Sequence, residues 1–145
     1  MAGGVTMALP VFSDDWARAC GAALNENAAY REAAAAWEGA VLLRMLAVAP
    51  DVPERRVFLD LWHGECRAAH AAVEADEDAA RYVLAGSIDA WRLVLTGATP
   101  PLLAIMTGKL KLTKGALADL VPYVNAAKEL VVTAAGVPTE FPAAG

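Results

Sequence analysis

A chain of 145 residues that is 57% hydrophobic and 20% charged can bury a sizeable core and is too apolar to be intrinsically disordered. Its formal net charge of −5 and pI near 4.9 exclude the basic excess by which a nucleic-acid binder is ordinarily recognised. Cys20 and Cys66 are too few for a disulfide framework, no run is long enough to span a bilayer, and the N-terminus lacks a signal peptide's basic region, so a cytoplasmic, soluble protein is expected, one domain over 1–145.

Ser13 stands where it can cap a first helix, with Asp14 and Asp15 in the opening turn, where the macrodipole favours negative charge. Phe12, Trp16, Cys20 and Leu24 recur at every fourth position and form one buried stripe. Asn27 stands where it can cap a second helix, the alanine-rich AAYREAAAAW. From Trp37 the period shortens to two. Trp37, Gly39, Val41, Leu43, Met45 and Ala47 share one strand face, and Glu38 and Arg44 take the other.

The segment PDVP breaks the chain. RRVFLDLWHGECRAAHAAV reads as a hairpin turning at Gly64 and Glu65, because glycine at the first loop position suits a II′ turn. In that register Leu61 faces Ala68, Trp62 faces Arg67, and His70 lies on the apolar face opposite Leu59. The run Glu74, Asp76, Glu77, Asp78 is read as a solvated turn. ARYVLAGS is a fourth strand, and Ser87 caps a short helix running to Thr96. Thr99 caps another, with Pro100 at the first helical position and Gly108 ending it.

TGKLKLTKG alternates with period two, so Leu110 and Leu112 face one way while Lys109 and Lys111 face the other. Beyond Gly115 comes a helical region with Leu117, Leu120, Val121, Val124 and Val131 on one stripe, in which Pro122 kinks the helix or begins a second. Residues 137–145 read as a frayed tail. The element order predicts an α+β fold with one helix-covered sheet. Charged residues gather on the strand face away from the helices, as expected of an antiparallel sheet solvated on one side, and lysines on an edge strand discourage edge-to-edge pairing.

The strand WEGAVLL after an alanine-rich helix, the segment FLDLWHGECRAA, and the block AGSIDAWRLVLTGATPPLLAIMTGKLKLTKG together resemble the sterol carrier protein 2 type lipid-binding domain family, from about Phe12 to about Val132. The resemblance implies a five-stranded, mostly antiparallel sheet with helices over one face and an apolar tunnel between. It implies non-enzymatic binding of fatty acids, fatty acyl-CoA or sterols, without a cofactor. It assigns the tunnel wall to Trp91, Leu95, Leu102, Ile105, Met106, Leu110, Leu112, Leu120 and Val124. The Ser-Lys-Leu address of peroxisomal members is missing from the C-terminus, so a peroxisomal location is not implied.

The residues themselves add support. In TPPLLAIMTG the apolar side chains Leu102, Leu103, Ile105 and Met106 cover more than one side of a short helix, which therefore needs apolar contact on several sides: protein core, a second subunit or an acyl chain. Ten buried methylenes contribute about 8 kcal/mol, near the ~8 kcal/mol that micromolar binding requires. His70 or Tyr82 is a candidate partner for a ligand's polar end. His63 and Cys66 offer metal-ligand atom types without an evident fourth ligand, and no catalytic constellation is visible. Trp62 and Arg67 are expected to stack, and their face, with Arg44, Arg56 and Lys111, is a candidate for transient contact with an anionic membrane surface or CoA phosphates. A homodimer or enzyme-docking module of the same fold is the alternative function.

Overall fold

The computed structural model describes residues 8–48 and 51–142. Pro50 of the predicted breaker and residues 143–145 of the predicted tail lie outside them. The elements run β1 (Leu9–Pro10), α1 (Asp14–Glu26), α2 (Ala28–Ala33), β2 (Val41–Met45), β3 (Arg55–Trp62), β4 (Glu65–Ala71), α3 (Glu74–Ala79) and β5 (Tyr82–Gly86). They continue with α4 (Ile88–Leu95), α5 (Pro101–Met106), β6 (Leu110–Lys114), α6 (Leu117–Leu120), a 3-10 turn (Val121–Tyr123), α7 (Val124–Ala135) and β7 (Thr139–Glu140). Five strands form one sheet in the order β4-β3-β2-β5-β6, antiparallel except where β5 runs parallel to β2. The α+β class and the mostly antiparallel five-stranded sheet agree with the sequence. No helix among the described residues is long and apolar enough to cross a membrane.

The helix starts are chemical. Ser13 Oγ accepts from the Trp16 N–H at 3.2 Å, Asn27 Oδ1 from the Tyr30 N–H at 3.1 Å, and Ser87 Oγ from the Ala90 N–H at 3.1 Å. The second helix stops at Ala33 rather than reaching Trp37. The fifth starts one residue later than expected: Pro100, ahead of Pro101, is held extended at φ −59°, ψ 142°, because a residue preceding proline avoids the helical region. Pro122 sits inside the 3-10 turn that joins α6 to α7.

The predicted stripe on α1 is buried: Phe12, Trp16, Cys20 and Leu24 all belong to the main core. α1 lies hard against β4, so close that a Cβ on Gly21 would stand 2.6 Å from Ala69 Cβ. Two side chains fix that contact. Asp14 Oδ1 accepts from the Ala71 N–H at 2.9 Å, and Asn25 both donates to the Cys66 carbonyl and accepts its N–H.

Four expectations are corrected. The hairpin turns at His63 and Gly64, whose φ of +50° and +80° match a two-residue turn with both central positions left-handed, not at Gly64 and Glu65. Trp62 therefore pairs with Glu65 and Leu61 with Cys66, and a bulge between Asp60 and Leu61 shifts the rest. The bulge's one extra residue on β4 exchanges the faces beyond it, so His70 pairs with Phe58 and leaves the apolar side expected for it. Its ring stacks on Phe58, with centroids 5.4 Å apart, and its Nδ1 donates to the Ala71 carbonyl at 2.9 Å.

The far side of the sheet is not merely solvated. Ala40, Leu42, Phe58, Ala80 and Val83 form a second, smaller core there. The acidic run forms helix α3 rather than a turn: Asp76 accepts from the Val73 N–H at 2.8 Å, Glu77 reaches Arg56 at 3.1 Å, and Lys114 Nζ donates to the Glu77 and Asp78 carbonyls. Finally, the expected frayed tail is tied down as far as Pro142. Val137 is buried, Thr139–Glu140 pairs in parallel with Leu9–Pro10, and the Trp16 indole donates to Thr139 Oγ1 at 2.9 Å.

Candidate functional site

Between the inner face of the sheet and the helices lies a cavity of about 120 Å³. Its floor is made by alternate residues of the strands: Val41 and Leu43, Leu61, Tyr82 and Leu84, and Leu110. The period of two places these on one face, and α1 does not extend over them, leaving the space to other helices. Tyr30 closes one end from α2, and Trp91, Val94 and Leu95 descend from α4. Leu102 and Ile105 come from α5, Leu120 from α6, Tyr123 from the 3-10 turn, and Val124, Ala127, Leu130 and Val131 from α7.

Of the site residues expected from the sequence, Trp91, Leu95, Leu102, Ile105, Leu110, Leu120 and Val124 meet at this cavity. Three do not. Met106 is 68% exposed on the outer side of α5. Leu112 faces inward and packs on the main core, but outside the cavity wall. His70 lies across the sheet, against Phe58, because the bulge on β4 shifts the register by one residue.

Tyr82, expected as a candidate partner for a ligand's polar end, does border the cavity, but the sequence reading missed Trp37 and Tyr123, which stand with it. Trp37 lies 5.0 Å from Tyr82 and 4.9 Å from Tyr123, centroid to centroid. They come from three separate parts of the chain, so no spacing reveals the cluster; the inward parity of Trp37 and the candidacy of Tyr82 point there singly. These rings border both the cavity and a polar surface cleft that also holds Glu38, Arg81 and Asp119.

Polar atoms in the cavity wall are mostly turned back into the protein. The Trp37 indole donates to the Gly39 carbonyl at 2.8 Å and the Trp91 indole to the Arg44 carbonyl at 2.7 Å. The Tyr82 hydroxyl donates to Asp119 at 3.1 Å and the Tyr123 hydroxyl to the Ala36 carbonyl at 3.1 Å. Burial raises the Tyr82 phenol above its ordinary pKa, and the Asp119 bond adds to that. Burial likewise raises Tyr30. What the cavity presents is therefore carbon, with the polar groups collected at one border.

The cysteine and histidine motif does not assemble into a site. His63 Nε2 pairs with Glu38 Oε2 at 2.6 Å on the surface, while the Cys66 thiol faces the core and donates to the Ala68 carbonyl. The Arg67 guanidinium does stack over Trp62, 4.8 Å from the ring centroid. Arg44 and Arg56 are paired with Glu54 and Glu77, so the expected anion-facing surface around Trp62 is largely neutralised.

Residues 20–116 match the model of the SCP-2 sterol transfer family. The chain is similar to a crystal structure of a sterol carrier protein 2, with a TM-score of 0.79 and 42% identity over 88% of this chain and 98% of that one. It is also similar to the solution structure of a conserved hypothetical protein from Thermus thermophilus, described as possibly a sterol carrier protein, with a TM-score of 0.81 and 39% identity over 97% of each chain. The apo form of sterol carrier protein 2 from Yarrowia lipolytica shares the fold, with a TM-score of 0.56 at 17% identity over 82% of this chain and 88% of that one. No curated protein matches.

Proposed function

The chain belongs to the SCP-2 sterol transfer family, which supports a general role in lipid binding or transfer, and on that premise we propose that it is a non-enzymatic carrier of an acyl lipid, a fatty acid or fatty acyl ester. The observation that carries this reading is the cavity with a carbon wall whose polar atoms point elsewhere, bordered at one end by a polar cleft. Such a site suits a molecule with an apolar tail and one polar end. The tail lies along Trp91, Leu95, Leu102, Ile105, Leu110, Leu120 and Val124, and the polar end rests beyond Trp37, Tyr82 and Tyr123, beside Arg81.

Apolar cavities of about 150 Å³ hold benzene. At about 120 Å³ the cavity is a nucleus for binding rather than a finished tunnel, so a long chain enters by displacing the roof. The roof is built for this: α5 has six residues and α6 has four, and no residue of α6 is buried. Apolar contact discriminates weakly between chains of similar length, which gives broad ligand tolerance. Two unpaired, buried cysteines suit a reducing, cytoplasmic setting.

Native mass spectrometry of the purified protein, alone and with a saturated fatty acid, tests the proposal. The expected result is a one-to-one complex whose lipid is released on denaturation. An apo dimer indifferent to fatty acid would replace this reading with that of an interaction module.

A further inference from the structure

One hydroxyl departs from the pattern of the cavity wall. The indoles of Trp37 and Trp91 and the phenols of Tyr82 and Tyr123 all donate to protein oxygens, whereas the Tyr30 hydroxyl has no hydrogen-bond partner among the described residues. Tyr30 is 2% exposed and lines the cavity. Its place is fixed by the backbone rather than by that hydroxyl. Asn27, the cap of α2, accepts the Tyr30 N–H at 3.1 Å and is itself tied to Thr133 on α7 at 2.8 Å.

The hydroxyl is unpaired without being sealed in. Among the described residues, Arg44 Nε is the one unpaired side-chain nitrogen or oxygen that is wholly enclosed. The Tyr30 oxygen therefore touches open space, and for a residue so deeply buried that space is the cavity it lines. An unmade hydrogen bond inside a protein is costly, and here it calls for a partner that arrives with the ligand. A lone water suits the place poorly, because it needs several polar neighbours and the other polar side chains of the wall are already bonded.

The chemistry of the missing partner is narrow. Burial, and after it the thiols of Cys66 and Cys20, raise the Tyr30 phenol above its ordinary pKa, so it stays a neutral O–H group. Among the described residues no charged side chain lines the cavity, so an ion drawn to Tyr30 would lie uncompensated in carbon. What fits is a neutral oxygen, a carbonyl or a hydroxyl, since a phenol can both donate and accept.

We propose that the ligand is an oxygenated acyl lipid, a chain carrying a keto or hydroxyl group along its length, and that the Tyr30 hydroxyl hydrogen-bonds this oxygen inside the cavity. The proposal rests on the carrier reading and adds selectivity to it. A tail of hydrocarbon alone fills the same space and leaves Tyr30 unpaired, and a site built to hydrogen-bond a ligand's oxygen disfavours the analogue that lacks it.

Calorimetric titration of the full chain with hexadecanoic acid and with its monohydroxy and monoketo isomers, the oxygen placed at different carbons, tests this. At least one oxygenated isomer should bind roughly fivefold to tenfold more tightly than the plain acid. In Tyr30→Phe that preference should reverse, because the ligand's oxygen then becomes the unpaired group. The thermal midpoint of unliganded Tyr30→Phe should equal or exceed the parent's, since an unpaired buried hydroxyl contributes nothing to stability. The proposal fails if no isomer surpasses the plain acid or if the preference survives Tyr30→Phe. It also fails if the unliganded variant melts below the parent, which would mean that the hydroxyl already has a partner in the protein. Each of these outcomes leaves the carrier reading intact, whereas absence of binding by plain and oxygenated acids alike removes both.

Discussion

Among the described residues, Arg81 is the one basic side chain bordering the polar cleft, and its guanidinium donates to the Glu38 carbonyl at 2.7 Å while lying 5.4 Å from the Tyr82 ring centroid. The Glu38 carboxylate has its own partner in His63, and Asp119 accepts from Tyr82. Arg81 is thus the group that a ligand carboxylate would meet. Arg81→Gln should weaken a fatty acid severalfold and leave the fatty alcohol of equal length unchanged, as read by calorimetric titration of both. The two thiols behave in the opposite way, as core. Burial pushes Cys20 up to about 12 and Cys66 up to about 11, the neighbouring thiol adding to the first. Both should resist iodoacetamide at pH 8 in the native state and react on unfolding. Because the folded thiols hold their protons above the ordinary value of 9.0, the stability they contribute is complete below pH 9 and is lost as pH rises from there towards about 11 and about 12. Denaturant midpoints measured across that window should fall, and Cys20→Ala should flatten the fall.

At the level of elements, caps and periods were legible and registers were not. Ser13, Asn27 and Ser87 cap as their positions in the sequence suggest, because a cap needs only local chemistry. The β3–β4 hairpin departs from its expected register because Gly64 fits either of two adjacent turns, and because nothing in Cys66-Arg67-Ala68 marks the bulge that leaves Arg67 without a partner on β3. Its consequence is local: His70 changes face, while Val41, Leu43 and Leu110 on the other strands keep theirs. Helix α3 and the β1–β7 pair escaped notice because both depend on partners far away in sequence, Arg56 and Lys114 for one and Trp16 for the other. The roof is the element with a prediction attached. Two tyrosine hydroxyls latch it, Tyr82 to Asp119 on α6 and Tyr123 to Ala36. Tyr82→Phe/Tyr123→Phe should speed hydrogen exchange across residues 117–123 and raise the on-rate and off-rate for fatty acid together, with affinity within a few-fold of the parent. Unchanged rates would mean that the ligand enters elsewhere.

For the whole molecule, the architecture follows from one asymmetry. The inner sheet face carries Val41, Leu43, Val57, Leu59 and Leu110, and α1 with the C-terminal helices must cover it. α1 packs on β3 and β4, α7 packs on α1, α2, α4 and α5, and the space over β2, β5 and β6 is roofed by the short α4, α5 and α6 together with one side of α7. A fold that lays one helix directly on half its sheet and several helices at angles over the other half leaves space between the latter and the strands. That is where the cavity lies, and it is why the site was only partly readable: parity identified the floor, whereas the aromatic border needed Trp37, Tyr82 and Tyr123 to be brought together by the chain's path. Ligand binding to this space should stabilise the whole fold by mass action, by about 2.7 kcal/mol at a hundredfold excess over Kd.

The most direct test is a calorimetric series of saturated fatty acids of increasing length, run against the parent protein and against Ile105→Trp, which fills the cavity from the roof. The account predicts one-to-one binding that strengthens by up to about 0.8 kcal/mol for each added methylene until the space is full, and loss of that binding in Ile105→Trp with the fold retained by circular dichroism. Affinity that ignores chain length, or that survives Ile105→Trp undiminished, would contradict it.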